Sequence, residues 1–331
     1  MASTRQLRNA ILTGVGAGAG FWAVLRLWSE RRREQRRLPL TIHLPAPVEE
    51  TQLTANGSIQ FIGTATILLR YAGFTILTDP NFLHSGERIH MAYGLVSATR
   101  QTDPALEVGN LPKIDFVVLS HNHEDHFDRV AAGRLEKTTP IITTRDAARL
   151  LRRKGFQLVY SLATWQYIDL RKSDATVRVT AMPGRHGPLL LRSVLPSVNG
   201  HMLDFGPVGD VNPLRVYLSG DTLVHRRLRE IPRRYPGVDI AVLHLGGTRV
   251  LGVLMSMDGK QGLEALRIIA PRVAILVHYN DYDIFRSPLD HFASAVREAG
   301  LEDRVVYLTH GETYEFTAPE IQRPEPALIR T

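Results

Sequence analysis

The sequence predicts an α/β fold with a polar site gathered at one edge of its sheet. Short apolar runs alternate with helical patterns through the second half of the chain. The first half opens as a β-rich meander instead. His and Asp residues fall just past the ends of several apolar runs, which is where α/β sheets assemble their sites.

The elements read in order as follows. From Ser58, SIQFIGTATILLRYAGFTILTDP gives β-rich runs broken at Gly63 and Gly73, the pattern of a meander. Residues 82–112 show little periodicity and read as a long loop, a candidate rim for a site. KIDFVVLS is a short apolar run ending at Ser120 and reads as a buried strand. RDAARLLRRKG (145–155) is helical, stopped by Gly155. ATVRVTAMPG, LRVYLSGDT, DIAVLHLGG, RVAILVHYND and RVVYLTHGE are further strand candidates. Helical patterns GKQGLEALRIIA and PLDHFASAVREAG lie between the last of them. No short-period repeat is visible, though the halves could be related as layers of sheet and helix.

With 331 residues the chain can bury one large core or two fused halves. It has no cysteine, which excludes disulfides and thiolate zinc sites and leaves metal binding to His, Asp and Glu. The net charge of +7 is uneven. Residues 1–40 hold eight Arg against Glu30 and Glu34, leaving 32 basic and 31 acidic residues elsewhere. A nearly neutral body gives no reason to expect a nucleic-acid partner. Residues 10–28 are apolar but for Arg26 and carry Trp22, Trp28 and two GxxxG spacings, which suits a membrane contact. The arginines that follow place the body on the cytoplasmic side, making a membrane-associated protein the expectation. A cytoplasmic or organelle-targeted soluble protein is the alternative. The domain plan is an arm at 1–40, a Pro-bearing linker at 41–56, the body at 57–318 and a tail at 319–331.

LSHNHEDHFD (119–128) packs three His and three acids into eight residues after a strand candidate. His121 and His123 can face one ion, while Asp125 and His126 can turn to a neighbouring one. Imidazole and carboxylate suit Zn2+, with Mn2+ or Fe2+ as alternatives. His186, Asp221 and His278 each follow another strand candidate, and Asp221 is placed to bridge two ions. The competing reading is a polar helix start capped by Asn122 or Asp125. Asp79 in LTDP is a candidate to hold a ligand imidazole by its far nitrogen. His244 is either a substrate contact or a satisfied buried histidine. Tyr279, Asn280 and Asp281 flank His278, and His310 ends a strand candidate.

SHNHEDHFD, followed by GRH, SGDT and VHYND, resembles the metallo-β-lactamase superfamily over Gly57 to Glu315. The resemblance implies a four-layer αββα sandwich with a dinuclear site at one edge. It implies His121, His123 and His186 on a first metal, Asp125, His126 and His278 on a second, and Asp221 as the bridge. IGTATILLRYAGFTILTDP resembles the opening of the branch holding N-acylphosphatidylethanolamine-hydrolysing phospholipase D and L-ascorbate-6-phosphate lactonase. His123 stands where the flavo-diiron oxidoreductases of the superfamily commonly have Glu, which favours a zinc-type hydrolase. The expected activity is hydrolysis by a metal-bound hydroxide, with Asp125 and Asp221 as catalytic carboxylates. The expected substrate is a phosphodiester, with a phospholipid as the candidate. A soluble lactone or acyl ester is the alternative, and a non-catalytic metal-binding interaction protein is the second.

Overall fold

The computed structural model describes residues 40–45, 55–91, 96–188, 195–206, 214–250 and 252–318. The arm with its apolar segment 10–28, most of the 41–56 linker and the 319–331 tail lie outside the described residues, as do parts of the 82–96 and 187–198 segments. The chain divides into two units, Met1–Leu40 and Thr41–Thr331.

The strands of the first half are β1 (Leu40–His43), β2 (Asn56–Gly63), β3 (Thr66–Tyr71), β4 (Phe74–Thr78), β5 (Arg88–Met91), β6 (Val96–Thr99), β7 (Phe116–Val118), β8 (Ile141–Thr143) and β9 (Val159–Ser161). The second half adds β10 (Tyr167–Lys172), β11 (Ala175–Pro183), β12 (Asn199–Phe205), β13 (Leu214–Leu218) and β14 (Ile240–His244). It ends with β15 (Arg249–Val250), β16 (Val253–Leu254), β17 (Val273–Val277), β18 (Val305–Val306) and β19 (Thr313–Thr317). The α-helices among the described residues are α1 (Arg129–Arg134), α2 (Arg145–Arg153), α3 (Glu230–Arg234), α4 (Gly259–Ile269) and α5 (Leu289–Glu298).

Two mixed sheets carry the body. One runs β19-β2-β3-β4-β7-β8-β9, the other β1-β10-β11-β12-β13-β14-β17-β18. Each contains an antiparallel meander, β2-β3-β4 or β11-β12-β13. Each then continues with parallel strands, β4-β7-β8-β9 or β13-β14-β17-β18. The two halves therefore use one arrangement twice, and the second half is not purely a strand-helix alternation. β19 returns to the first sheet beside β2.

Strand periodicity explains the layers. Successive side chains point to opposite faces, so Leu77, Val117, Leu119 and Ile141 face one side of the first sheet. There they pack with Phe127 and Ala131 from the α1 region and with Ala147, Ala148 and Leu151 of α2. The other face carries aromatics that meet the second sheet: Tyr71 and Phe74 lie 5.3 and 6.3 Å from Phe205 on β12, ring to ring. Central strands such as β7, β8 and β14 are buried along their whole length, as covering on both faces requires. Burying one such large apolar side chain stabilises by about 1.5–3 kcal/mol.

Helix α2 forms where its pattern predicts. Thr144 caps it by accepting from Ala147 N, Asp146 sits in the first turn, and Arg152 and Arg153 close the last. The 82–112 segment corrects the loop expectation. It holds the β5-β6 hairpin, whose Ile89 and Ala98 are buried against Leu83, Tyr282 and Ile284. Its apolar residues are too few and too widely spaced to show a period. RVVYLTHGE contributes only the two-residue β18.

Candidate metal centre

The C-terminal ends of parallel strands from both sheets meet here. β7 leads into Ser120 and the 121–128 loop, β13 into Ser219-Gly220-Asp221, β14 into Leu245, and β17 into His278. His186 follows β11. The sheet edges approach closely at Gly220: a Cβ there would lie 2.8 Å from Asn199 O and 2.9 Å from Ser120 Cβ, and its φ is +58°. Only glycine fits that position without displacing a neighbour.

The 121–128 loop folds into a turn in which His126 N and Phe127 N donate to His123 O at 3.1 and 2.9 Å. The turn sends His121 and His123 to one side, Asp125 and His126 to the other. The cap of the following helix is Asp128, which accepts from Ala131 N at 2.7 Å, so neither Asn122 nor Asp125 serves as the cap. Its other oxygen accepts from Phe82 N and from Leu83 N, tying the loop to the end of the first meander.

Two ligand groups result. His121, His123 and His186 offer nitrogens that all lie within 4.8 Å of one another. His121 Nε2 and His123 Nδ1 are 3.0 Å apart. Asp125, His126, Asp221 and His278 form the second group on the same criterion. His278 Nε2 lies 3.3 Å from Asp125 Oδ2, and Asp221 Oδ1 lies 3.4 Å from His126 Nε2 and 3.5 Å from His278 Nδ1. The groups adjoin, with the His121 and His126 rings 4.2 Å apart. All seven residues that the sequence marks are thus brought together. His123 is half-buried, while the second group is fully buried.

Hydrogen bonds fix the rings. His186 Nδ1 lies 3.2 Å from Asp221 O and His278 Nδ1 3.1 Å from Leu245 O. Donation to a carbonyl leaves each Nε2 as an acceptor. His278 is held at φ +62°, a left-handed conformation that a non-glycine residue adopts at some cost. Asp79 sits behind the second group. Its Oδ2 is 3.4 Å from His126 Nδ1 and 3.3 Å from His244 Nε2, and its Oδ1 accepts from Ser120 N at 2.7 Å. His244 is closed on its other side by Ser219 Oγ at 3.1 Å. It is the satisfied buried histidine of the two readings, not a substrate contact. Asp79, His126 and His244 also converge closely enough to hold an ion, although His126 then serves two groups.

The electrostatics divide the site. Burial, then neighbouring imidazoles, hold His121 well below the usual histidine range and His123 at about 3. Burial also lowers His186. Burial opposes charge on His126 and His278 too. There the carboxylates of Asp221 and Asp125, joined by Asp79 at His126, outweigh it and raise both. Burial favours the neutral acid at Asp125 and Asp221, but the imidazoles prevail: Asp125 is lowered to about 2 and Asp221 well below its ordinary value. The first group is neutral imidazole, and the second pairs two carboxylates with two imidazoles that favour positive charge; together they offer the N/O donors that divalent cations take.

The donor atoms themselves fit an ion. Asp125 Oδ1, His126 Nε2 and Asp221 Oδ1 are buried without a hydrogen-bond partner. Leaving such a group unsatisfied costs about 1–3 kcal/mol or more, and a cation between them would satisfy all three. Sequence reasoning missed Ser120, whose Oγ lies 3.0 Å from His121 Nδ1 and 3.4 Å from His126 Nδ1. Its one signal is its place directly after the β7 run. Asp79→Asn is expected to preserve the fold and weaken metal binding by roughly 10–100-fold, the usual cost of losing a residue that orients a ligand. Isothermal titration with a divalent ion checks this.

A doubled sheet sandwich with two His/Asp groups at its shared edge defines a metal-dependent hydrolase of the metallo-β-lactamase fold. The chain belongs to the beta-lactamase superfamily domain family, whose family model matches residues 75–279. It is 27% identical over 209 residues to a UPF0173 metal-dependent hydrolase of Archaeoglobus fulgidus, covering 62% of this chain and 83% of that one. A UPF0173 metal-dependent hydrolase of Hyperthermus butylicus is 24% identical over 272 residues, covering 78% of this chain and all of its own. In fold the chain is similar to an isothiocyanate hydrolase from Delia radicum gut bacteria, with a TM-score of 0.66, 23% identity, and 79% and 99% of the two chains covered. Among the described residues no helix is long and apolar enough to cross a membrane, and residues 10–28 lie outside them.

Proposed function

We propose that the chain is a dinuclear hydrolase, with zinc as its metal, that cleaves a phosphodiester of phospholipid type. The observation that carries the two-ion reading is Asp221: its Oδ1 faces the second group while its backbone carbonyl orients His186 of the first. His121, His123 and His186 would hold one ion, Asp125, His126 and His278 the other, and Asp221 would bridge. Ions bound there supply Lewis acidity and acidify a water near neutral pH. The protein residues do the rest. Asp125, whose buried Oδ1 lacks a hydrogen-bond partner, would both ligate the ion and orient the nucleophile beside it. The half-buried His123 marks the side open to substrate.

The phosphodiester is supported by the IGTATILLRYAGFTILTDP opening, which resembles the phospholipase D and lactonase branch, and by the apolar segment 10–28. Metal analysis followed by paired assays tests it. Turnover of a phosphodiester reporter and of a phospholipid, with no turnover of a lactone panel, is the expected result. Lactone hydrolysis alone would install the alternative, and bound metal without any turnover the non-catalytic reading. An isothiocyanate belongs in the panel because the hydrolase of that name shares the fold. Loss of vesicle co-sedimentation on deleting residues 1–40 would support membrane contact by the arm, and unchanged sedimentation would refute it.

The two ions should respond differently to pH. Protonated His126 and His278 cannot ligate, and both are raised above the ordinary histidine value. Metal must displace those protons, so affinity at the second group should climb from about pH 6 to 8. The lowered His121, His123 and His186 are already neutral there, so affinity at the first group should stay flat. Competition with a chromophoric chelator across that range measures both.

A further inference from the structure

Beneath the second ligand group lies a buried arginine that no step above uses. Arg100 follows the β5-β6 hairpin and is 0% exposed, as is its carboxylate partner Asp281. Its Nη2 lies 3.5 Å from Asp281 Oδ1. Its Nε donates to Thr102 O at 2.9 Å and to Thr102 Oγ1 at 3.2 Å, and its Nη1 donates to Thr64 Oγ1 and Asn81 Oδ1. The guanidinium also stands 5.3 Å from the centre of the Tyr282 ring.

Two of these partners, Asn81 and Asp281, belong to segments that carry a metal-site residue. Asn81 is two residues past Asp79, and its Nδ2 donates to Glu124 O at 2.9 Å, between His123 and Asp125. Asp281 is three residues past His278, accepts from Thr64 N at 3.1 Å, and lies 2.9 Å from His310 Nε2. Thr64 O in turn accepts from His278 N. Gly63 leaves room for the arrangement: a Cβ there would fall 2.7 Å from Arg100 Nη2, and its φ is +145°.

We propose that Arg100 is a positioning residue. Its planar fork fixes the segments bearing Asp79, Asp125 and His278 at the spacing that lets Asp125 and His278 close on one ion. The inference rests on the metal reading of the site. Its chemistry is that of a fork with several donors in fixed directions, which a lysine ammonium cannot reproduce. Among the described residues, the rings of His121, His123 and His186 bond only outside this network, so the effect should fall on one ion and spare the other.

Arg100→Lys keeps a cation in place and removes the fork. Calorimetric metal titration, thermal unfolding and steady-state kinetics are compared with the parent chain. Expected are an unfolding midpoint close to the parent's, one ion bound as before, a second bound at least tenfold more weakly, and a fall in kcat with little change in KM. Equal weakening of both ions together with a lowered midpoint would reduce Arg100 to a structural residue and overturn the proposal. Parent-like binding of both ions would overturn it too. If Arg100→Lys fails to fold, Asn81→Ala decides: it leaves Arg100 and Asp281 in place and removes the Arg100–Asn81–Glu124 O link, together with the bonds of Asn81 to Thr64 Oγ1 and the Tyr282 hydroxyl. Selective weakening of one ion then supports the proposal, and parent-like binding overturns it. A parent chain that binds no divalent ion would sink the metal reading itself, and this inference with it.

Discussion

Asp221→Ala is expected to lower kcat/KM by about three orders of magnitude or more and to remove at least one ion per chain. The estimate takes the several kcal/mol that a metal contributes to transition-state stabilisation, where about 4 kcal/mol is a factor of roughly 10^3. Asp221 has this leverage because its Oδ1 reaches both raised imidazoles of the second group, 3.4 Å from His126 Nε2 and 3.5 Å from His278 Nδ1. Without it, His126 and His278 lose a principal cause of their raised affinity for positive charge, whether proton or metal. Asp221 O still orients His186 in the variant, so the first group can survive. Asp221→Asn separates charge from shape, since it keeps the volume and loses the anion. It should approach the alanine variant in metal loss. Elemental analysis of purified protein and kinetics on the reporter that the parent hydrolyses check both. Parent-level activity in either variant would remove Asp221 from the mechanism.

The candidate site was more legible in the sequence than the sheets that carry it. All seven marked residues converge because each follows an apolar run, and the ends of parallel strands meet at one edge. A strand's own residues state where it ends. What they do not state is which strand lies beside it. The meander opening the second half was unreadable for that reason: β10, β11 and β12 are buried on one face or both, so alternation is weak, and antiparallel pairing leaves no mark of its own. The β5-β6 hairpin hid because it buries only Ile89 and Ala98. Second-layer roles were partly visible. Asp79 could be suspected from its place after a strand, but Arg100 could not, since its partners Thr64, Asn81 and Asp281 lie far apart in the chain. A lone arginine in a stretch without periodicity reads in sequence as a solvated surface group.

Chelation should lower the unfolding midpoint by roughly 10 °C at pH 8. An ion at about a thousandfold excess over its dissociation constant stabilises the folded state by about 4 kcal/mol. A domain of 150–250 residues moves about 2–4 °C per kcal/mol. The loss should also depend on pH, and its sign follows from the charges that remain in the metal-free site. His126 and His278 have raised folded values, so their stabilising protons are fully held below the unfolded value near 6.5 and are lost as pH rises through the folded value. Asp125 has a lowered value of about 2, so its contribution persists above the unfolded value and disappears only as pH falls toward 2. Asp79 and Asp221 are lowered as well. Above neutral pH the metal-free protein therefore keeps three buried carboxylates while its countercharges titrate away. Below pH 6.5 a different loss begins. The lowered His121, His123 and His186 favour the folded state above the unfolded value and cost stability as pH falls toward theirs. The chelator-induced drop should therefore be larger at pH 9 than at pH 7, because bound metal supplies the positive charge that protons no longer provide. Thermal unfolding at both values, with and without chelator, tests this. A midpoint indifferent to chelator at pH 9 would mean that the two groups hold no ion in the folded protein.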